Sequence, residues 1–203
     1  MKIRVALLSA ALIAAMAVLA SAAKAPSKGS YGGVSASGAD IGFHTDTATN
    51  QIDGFTISGK AHIESVDKAT QTTFSADASK ITFRFSTGKS KAQTTGMSLV
   101  KSGEFAGPVK MVYTVRTNGV VTKTVATADS GNYSGKDQMA TLTGNVKITS
   151  EDPTKFELPA VLTGDKATIN LSPVLGPDDF RFRVESSPGV STVTITPKAK
   201  ENQ

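Results

Sequence analysis

Almost every segment between residues 39 and 196 alternates apolar and polar residues with a period of two, and no segment after residue 25 sustains a helical apolar period. The stretch Ala140 to Thr149, "ATLTGNVKIT", shows the pattern most cleanly. Ala140, Leu142, Gly144, Val146 and Ile148 share one strand face, and Thr141, Thr143, Asn145, Lys147 and Thr149 share the other. Turn signals punctuate these runs. Asp53-Gly54 lies between Ile52 and Phe55, and Asn118-Gly119 joins "KMVYTVRT" to "VVTKTVAT". The second is the stronger hairpin signal, because both central residues of a type I′ turn need positive φ. The chain is expected to be a single all-β domain built of antiparallel strands.

The glycine within the apolar face returns elsewhere. "GNVKI" at Gly144 to Ile148 has relatives in "GKAHI" at Gly59, "GPVKM" at Gly107 and, more loosely, "GVSTV" at Gly189. Each follows an Ala-Asp or Gly-Asp step, in the fixed order Asp40 then Gly59, Asp77 then Gly107, Asp129 then Gly144, Asp165 then Gly189. The separations range from 15 to 30 residues, so no rigid solenoid period exists. Stacked two-strand units with loops of unequal length fit better. A glycine on the inner face permits a bend or bulge, and one per unit would curl the sheet along a line into a slot. Pro108, unable to donate to a ladder, points to an edge or bulge beside Gly107.

The chain ends read differently. Lys2 and Arg4 precede an apolar run from Val5 to Leu19 broken only by Ser9, and Ala20-Ser21-Ala22 has the small-x-small form of a secretory cleavage site. The run is short for a spanning helix, which needs roughly 20 residues. Residues 1–22 are therefore expected to be a signal peptide removed on export. Residues 23–38, rich in Gly, Ser and Ala, read as a flexible lead-in, residues 39–196 as the folded domain, and 197–203 as a polar tail. The chain has no cysteine, so no disulfide or lipid-attachment cysteine operates. The net charge of +5 includes Lys2 and Arg4, and the remainder is thinly spread. No basic block or aromatic ladder supports nucleic-acid binding.

The ordered units resemble the OstA/LptA-like family of periplasmic lipopolysaccharide-transport proteins. The likeness is carried best by Asp137 to Leu171, with "ATLTGNVKIT" and "LTGDKATINL". Asp53 to Phe85 and "ATADSGNY" at Ala126 to Tyr133 follow. The resemblance covers roughly residues 38 to 196. It implies a single curved stack of antiparallel strands, a β-taco or jelly-roll-like sheet. It further implies that lipopolysaccharide or a related anionic glycolipid is held by its acyl chains in an apolar crease. As partners it implies other OstA-like domains in the inner and outer membrane, joined by strand-edge pairing, and head-to-tail self-association. On this reading the protein is periplasmic, non-enzymatic and without a cofactor. The candidate lining residues are Ile57, Ile63, Phe83, Phe85, Val109, Met111, Leu142, Val146, Ile148 and Ile169, each of which is equally suited to plain core packing. The alternative is a non-catalytic envelope scaffold that engages partners through exposed strand edges.

No catalytic constellation emerges. Ser86 to Ser90, "STGKS", lacks the upstream glycine and following helix of a phosphate loop, and a hairpin loop is the preferred reading. "GVSAS" lacks the fifth-position glycine of a nucleophile elbow. His44 beside Asp46 has no further ligands at metal spacing, and His62 reads as a surface residue next to Lys60 and Glu64. Asp40, Asp77, Asp129 and Asp165 recur at equivalent points of the repeat, which favours turn or strand-entry duty over paired catalytic carboxylates.

The export reading carries its own test. N-terminal sequencing of the protein from an envelope fraction is expected to begin at Ala23, whereas intact Met1 in membranes would mean an uncleaved anchor.

Overall fold

A computed structural model describes residues 27–31, 33–86, 99–172 and 175–199. The described residues form one antiparallel sheet of eleven strands. In chain order these are β1 (Ser27–Tyr31), β2 (Val34–Gly38), β3 (Asp40–Thr45), β4 (Ile52–Asp67), β5 (Thr72–Phe85), β6 (Val100–Thr117), β7 (Val120–Ser134), β8 (Met139–Glu151), β9 (Phe156–Asn170), β10 (Phe182–Glu185) and β11 (Thr192–Pro197). Each of β4 to β9 pairs with its successor, so the sheet is a meander.

The six central strands run 13 to 18 residues, well beyond the usual five or six. None stays straight. The register slips between Ser58 and Ala61, between Ala106 and Val109, and between Thr143 and Val146. Gly59-Lys60, Gly107-Pro108 and Gly144-Asn145 are thus bulges, each with one residue more than its partner strand, and Ser79, Asp129 and Asp165 stand opposite them. Gly59, Lys60, Gly107, Gly144 and Asn145 all have positive φ. A bulge of this kind bends its strand and adds local twist. Aligned across neighbouring strands, the bulges fold the sheet along a line into two walls. The first wall contains residues 52–58, 80–85, 100–106, 130–134, 139–143 and 165–170, flanked by β3 and β10. The second contains 61–67, 72–78, 109–117, 120–128, 146–151 and 156–164, flanked by β1, β2 and β11.

The alternation read from the sequence survives the fold line. Ala140 and Leu142 on one wall and Val146 and Ile148 on the other are all buried, because the two-residue bulge keeps both halves of β8 pointing their apolar side inward. The walls differ in bulk. Phe55, Phe83, Phe85, Phe105 and Tyr133 come from the first along with Ala140 and Ala167, whereas the second supplies Ala61, Ala76, Ala78, Ala126, Ala128 and Ala160 beside Phe74 and Tyr113. Large side chains facing small ones let two sheets interdigitate at interior density. Three ring pairs, Phe55–Phe83, Phe55–Phe85 and Phe83–Phe105, lie 5.4 to 5.7 Å between centroids in tilted or edge-on arrangements that suit the ring quadrupole.

Three expectations need correction. The flexible lead-in at 23–38 contains β1 and β2, with Val34 and Ala36 buried against β4. Once paired with β4, its small residues alternate buried and exposed, and strand structure is present from Ser27. Asp53-Gly54 is not a turn: both lie inside β4, and Gly54 backs onto the Phe83 carbonyl. The preceding turn is made by Asp46, whose Oδ1 accepts from the amides of Ala48 and Thr49. The glycine of "ATLTGNVKIT" does not leave a gap toward the core. Its missing side chain makes room for Asp129 across the bulge. By contrast, Asn118-Gly119 joins β6 to β7 with φ of 51° and 78°, as a type I′ turn requires, and Pro108 sits in a bulge.

At Gly144, φ is +80°, and an added Cβ would lie 2.9 Å from the Asp129 Cβ. Gly144→Val is therefore expected to cost about 2–3 kcal/mol, while Thr143→Val on the exposed face should shift stability by about 0.5 kcal/mol or less. Paired thermal melts measure this, and equal small shifts would remove the bulge from its role as the fold line.

Candidate functional site: an apolar interior with open ends

The alternation that builds the walls carries all ten candidate lining residues to one place. Ile57, Phe83, Phe85, Leu142 and Ile169 project from the first wall, and Ile63, Val109, Met111, Val146 and Ile148 from the second. All belong to a single apolar cluster, and none is more than 4% exposed. The walls touch across the interior: the Met111 methyl lies 3.5 Å from where a side chain on Gly131 would begin. In this structure the slot is filled by its own side chains.

The interior is less well covered where the strand order ends. At the N-terminal end, β3 places Ile41 opposite Ile57 and Phe43 opposite Phe55, yet Phe43 is 60% exposed. At the other end Val193 pairs with Leu162, whose own partner is the buried Ile148. Val193 is 58% exposed, since among the described residues β11 pairs only with β9. Ile195 and Leu158 are exposed at the same end. Among the described residues, the outermost strands β1, β3, β10 and β11 each have an edge with no neighbouring strand.

The polar candidates line the outside of the fold. Asp77 stands opposite His62, and its Oδ1 lies 2.7 Å from the His62 Nδ1 on an exposed face. Asp129 accepts from the Asn145 side-chain amide at 2.8 Å, and Asp165 from the Ser187 backbone amide at 3.2 Å. Asp40 opens β3. These four aspartates thus serve the strands around the fold line rather than turns. Loop turns instead use Asp46, Asp67 and Asp152, whose carboxylates accept from amides two or three residues on. Those hydrogen bonds hold the Asp46 and Asp67 carboxyls below the ordinary carboxylate range. The sequence contains the signal in "DTATN" and "DKATQ", a spacing the strand reading passed over. His44 Nε2 shares a 2.7 Å hydrogen bond with Thr56 Oγ1 in a row continued by Thr82. Among the described residues no group of three or more His, Asp or Glu is placed to hold a metal ion. "GVSAS" lies on Gly33 and β2, and Ser86 to Ser90 falls outside the described residues after Ser86.

Alternation did not mark a cavity of about 430 Å³ at the open rim between the walls. Tyr113, Val115, Asp152, Lys155, Phe156 and Phe182 are among the residues that line it, together with Arg181. The Arg181 guanidinium lies 5.8 Å from the Tyr113 ring centre, within reach of the ring's negative face. Burial works to raise the Asp152 pKa. Hydrogen bonds from Thr154 and Lys155 prevail, with the Lys155 ammonium 3.1 Å away, and hold it below the ordinary range. Burial alone pushes the Tyr133 phenol up to about 12.

Fold and interior together define a creased, open-ended antiparallel β stack, a class of apolar sleeve. Comparison with known proteins then adds a family likeness over part of the chain. Residues 89–173, which include β6 to β9, match the family described as lipopolysaccharide-assembly, LptC-related. The OstA/LptA-like likeness read from the motifs is borne out over that segment, which contains the best unit, Asp137 to Leu171. Among solved structures, LptH of Pseudomonas aeruginosa is similar at 10% identity and a TM-score of 0.49. LptH is described as the LptA-homologous periplasmic component of the lipopolysaccharide transport device. The alignment covers 82% of this chain and 95% of that one. No curated protein matches the chain.

A folded-state pKa below the unfolded one gives stability that is present above the unfolded value of about 3.9 and is lost as pH falls through the folded one. Asp152→Asn is therefore expected to cost about 1 kcal/mol at pH 7. Chemical denaturation of both proteins at pH 7 and near pH 2.5 should show that gap shrinking in acid. A gap independent of pH would mean the carboxylate charge contributes nothing.

Proposed function

We propose that the protein is a periplasmic, non-enzymatic carrier of lipopolysaccharide or a related anionic glycolipid, shielding acyl chains between its two walls on the way to the outer membrane. The observation that carries this is the LptC-related match, which falls on the strands that build most of the interior. An apolar strip that runs through every strand pair and ends in exposed Phe43 at one side and Val193 and Ile195 at the other supports it further. Because the ten lining residues pack against one another in a single cluster, loading requires the walls to part. Methylene burial of about 0.8 kcal/mol each offsets the lost wall-to-wall contact.

The free strand edges favour a second element of the proposal, pairing with other OstA-like domains and with further copies of this chain, head to tail. Unpaired edges bearing exposed apolar side chains seek partners. A heterologous contact between different ends need not close into a ring.

Photo-crosslinkers at Phe83 and Ile148 are expected to capture lipid in cells, while one at Lys147, on the outer face of the same strand, should not. Lipid-free labelling at all three positions, or equal labelling at Lys147, leaves an ordinary core and turns the reading toward an edge-pairing envelope scaffold. Static light scattering of the mature protein should show mass rising with concentration past a dimer, and a monomer at high concentration would count against end-to-end pairing.

A further inference from the structure

The cavity at the rim joins charge to the apolar interior. Its Arg181 has no carboxylate partner among the described residues. The Nη1 donates to the backbone carbonyls of Asn170 and Ser172, at 2.6 and 2.7 Å. Those carbonyls fix the guanidinium in place without neutralising it. Lys155 is matched by Asp152, so the lining as a whole carries one uncompensated positive charge. Beside it the Tyr113 hydroxyl is buried and has no hydrogen-bond partner among the described residues, although an unmet buried donor is costly. Tyr113 is also part of the apolar cluster, two positions along β6 from Met111. A cation held in position, a hydroxyl in want of an acceptor and an apolar path inward sit within one concavity.

We propose that this cavity receives the anionic end of an amphiphile, a phosphate monoester or carboxylate. The anion pairs with Arg181 and accepts from Tyr113, and its apolar stem runs past Phe182 and the Tyr113 ring toward Met111 in the interior. A planar guanidinium suits such an oxyanion better than an ammonium does. This deepens the carrier reading and rests on it for the apolar tail. The rim then fixes which end of the lipid stays outside, so chains enter between the walls in one orientation.

Calorimetric titration of the mature protein with octyl phosphate, octyl glucoside and inorganic phosphate tests this. Octyl phosphate should bind about tenfold or more tighter than either control. Arg181→Gln should remove about tenfold of that affinity and leave octyl glucoside unchanged. Arg181 also ties down two backbone carbonyls, so Tyr113→Phe provides a second variant that deletes only the partnerless hydroxyl. It should weaken octyl phosphate about threefold with the melting temperature unchanged or raised. Equal affinity for the phosphate and the glucoside would overturn an anion site. Inorganic phosphate binding as tightly as octyl phosphate would make this a free-phosphate site and overturn the amphiphile. Crosslinking at Ile148 together with octyl phosphate affinity indifferent to both substitutions would overturn the rim site alone. Absence of both crosslinking and octyl phosphate binding would sink the carrier reading with it.

Discussion

The bulge line is the constraint on which the rest of the structure depends. A meander of strands this long, apolar on one face, would expose that face if it stayed open. Bending every strand at the same level lets one sheet cover itself. Three Gly-X steps do this with positive φ on alternate strands, each opposite a single residue (Ser79, Asp129 or Asp165) of the following strand, and Ser79 and Asp129 also pack where Gly107 and Gly144 lack a side chain. Because each bulge inserts a residue, inward-facing positions remain inward on both sides of the fold. Burial, wall pairing and the exposed ends follow from that local geometry.

The same device explains the distribution of polarity. Hydrogen-bonding side chains gather at the outer surface of the line, where Asp129 meets Asn145 and Asp77 meets His62. Inside, the first wall carries Phe55, Phe83, Phe85, Phe105 and Tyr133, and the second carries more alanines together with Phe74 and Tyr113. A closed barrel would have no edges, and a sandwich of two sheets would need crossover connections. The creased meander needs neither, but it leaves strand edges at both ends and a rim along the open side. Under the proposed function those are the places where partners and lipid headgroups meet the protein, while acyl chains occupy the interior.

Much of this was legible from residue order. Period-two alternation marked the chain as an all-β stack of antiparallel strands, Asn118-Gly119 fixed one hairpin, and the recurring glycines at 59, 107 and 144 marked where strands bend. The failures have physical causes. Gly, Ser and Ala in 27–38 alternate too weakly in hydrophobicity to mark a strand, and only pairing with β4 reveals it. Asp53-Gly54 has turn chemistry but lies in a paired strand, where tertiary pairing overrides local preference. Gly144 shares parity with its apolar neighbours, so alternation alone placed its missing side chain inward, and positive φ redirects it toward Asp129. Arg181 and Tyr113 lie 68 positions apart in sequence, and no local pattern brings them together.

Contact between the walls is the most direct measure of a sheet folded onto itself. Met111 is paired with Ala126, five residues along β7 from Gly131, so in a flat sheet its methyl would lie roughly 15 Å from Gly131. In the creased fold it approaches to van der Waals distance. A nuclear Overhauser contact between the Met111 methyl and the Gly131 α protons is expected in the lipid-free mature protein. A well-dispersed β spectrum without that contact would contradict the folded sheet and the single interior built from it.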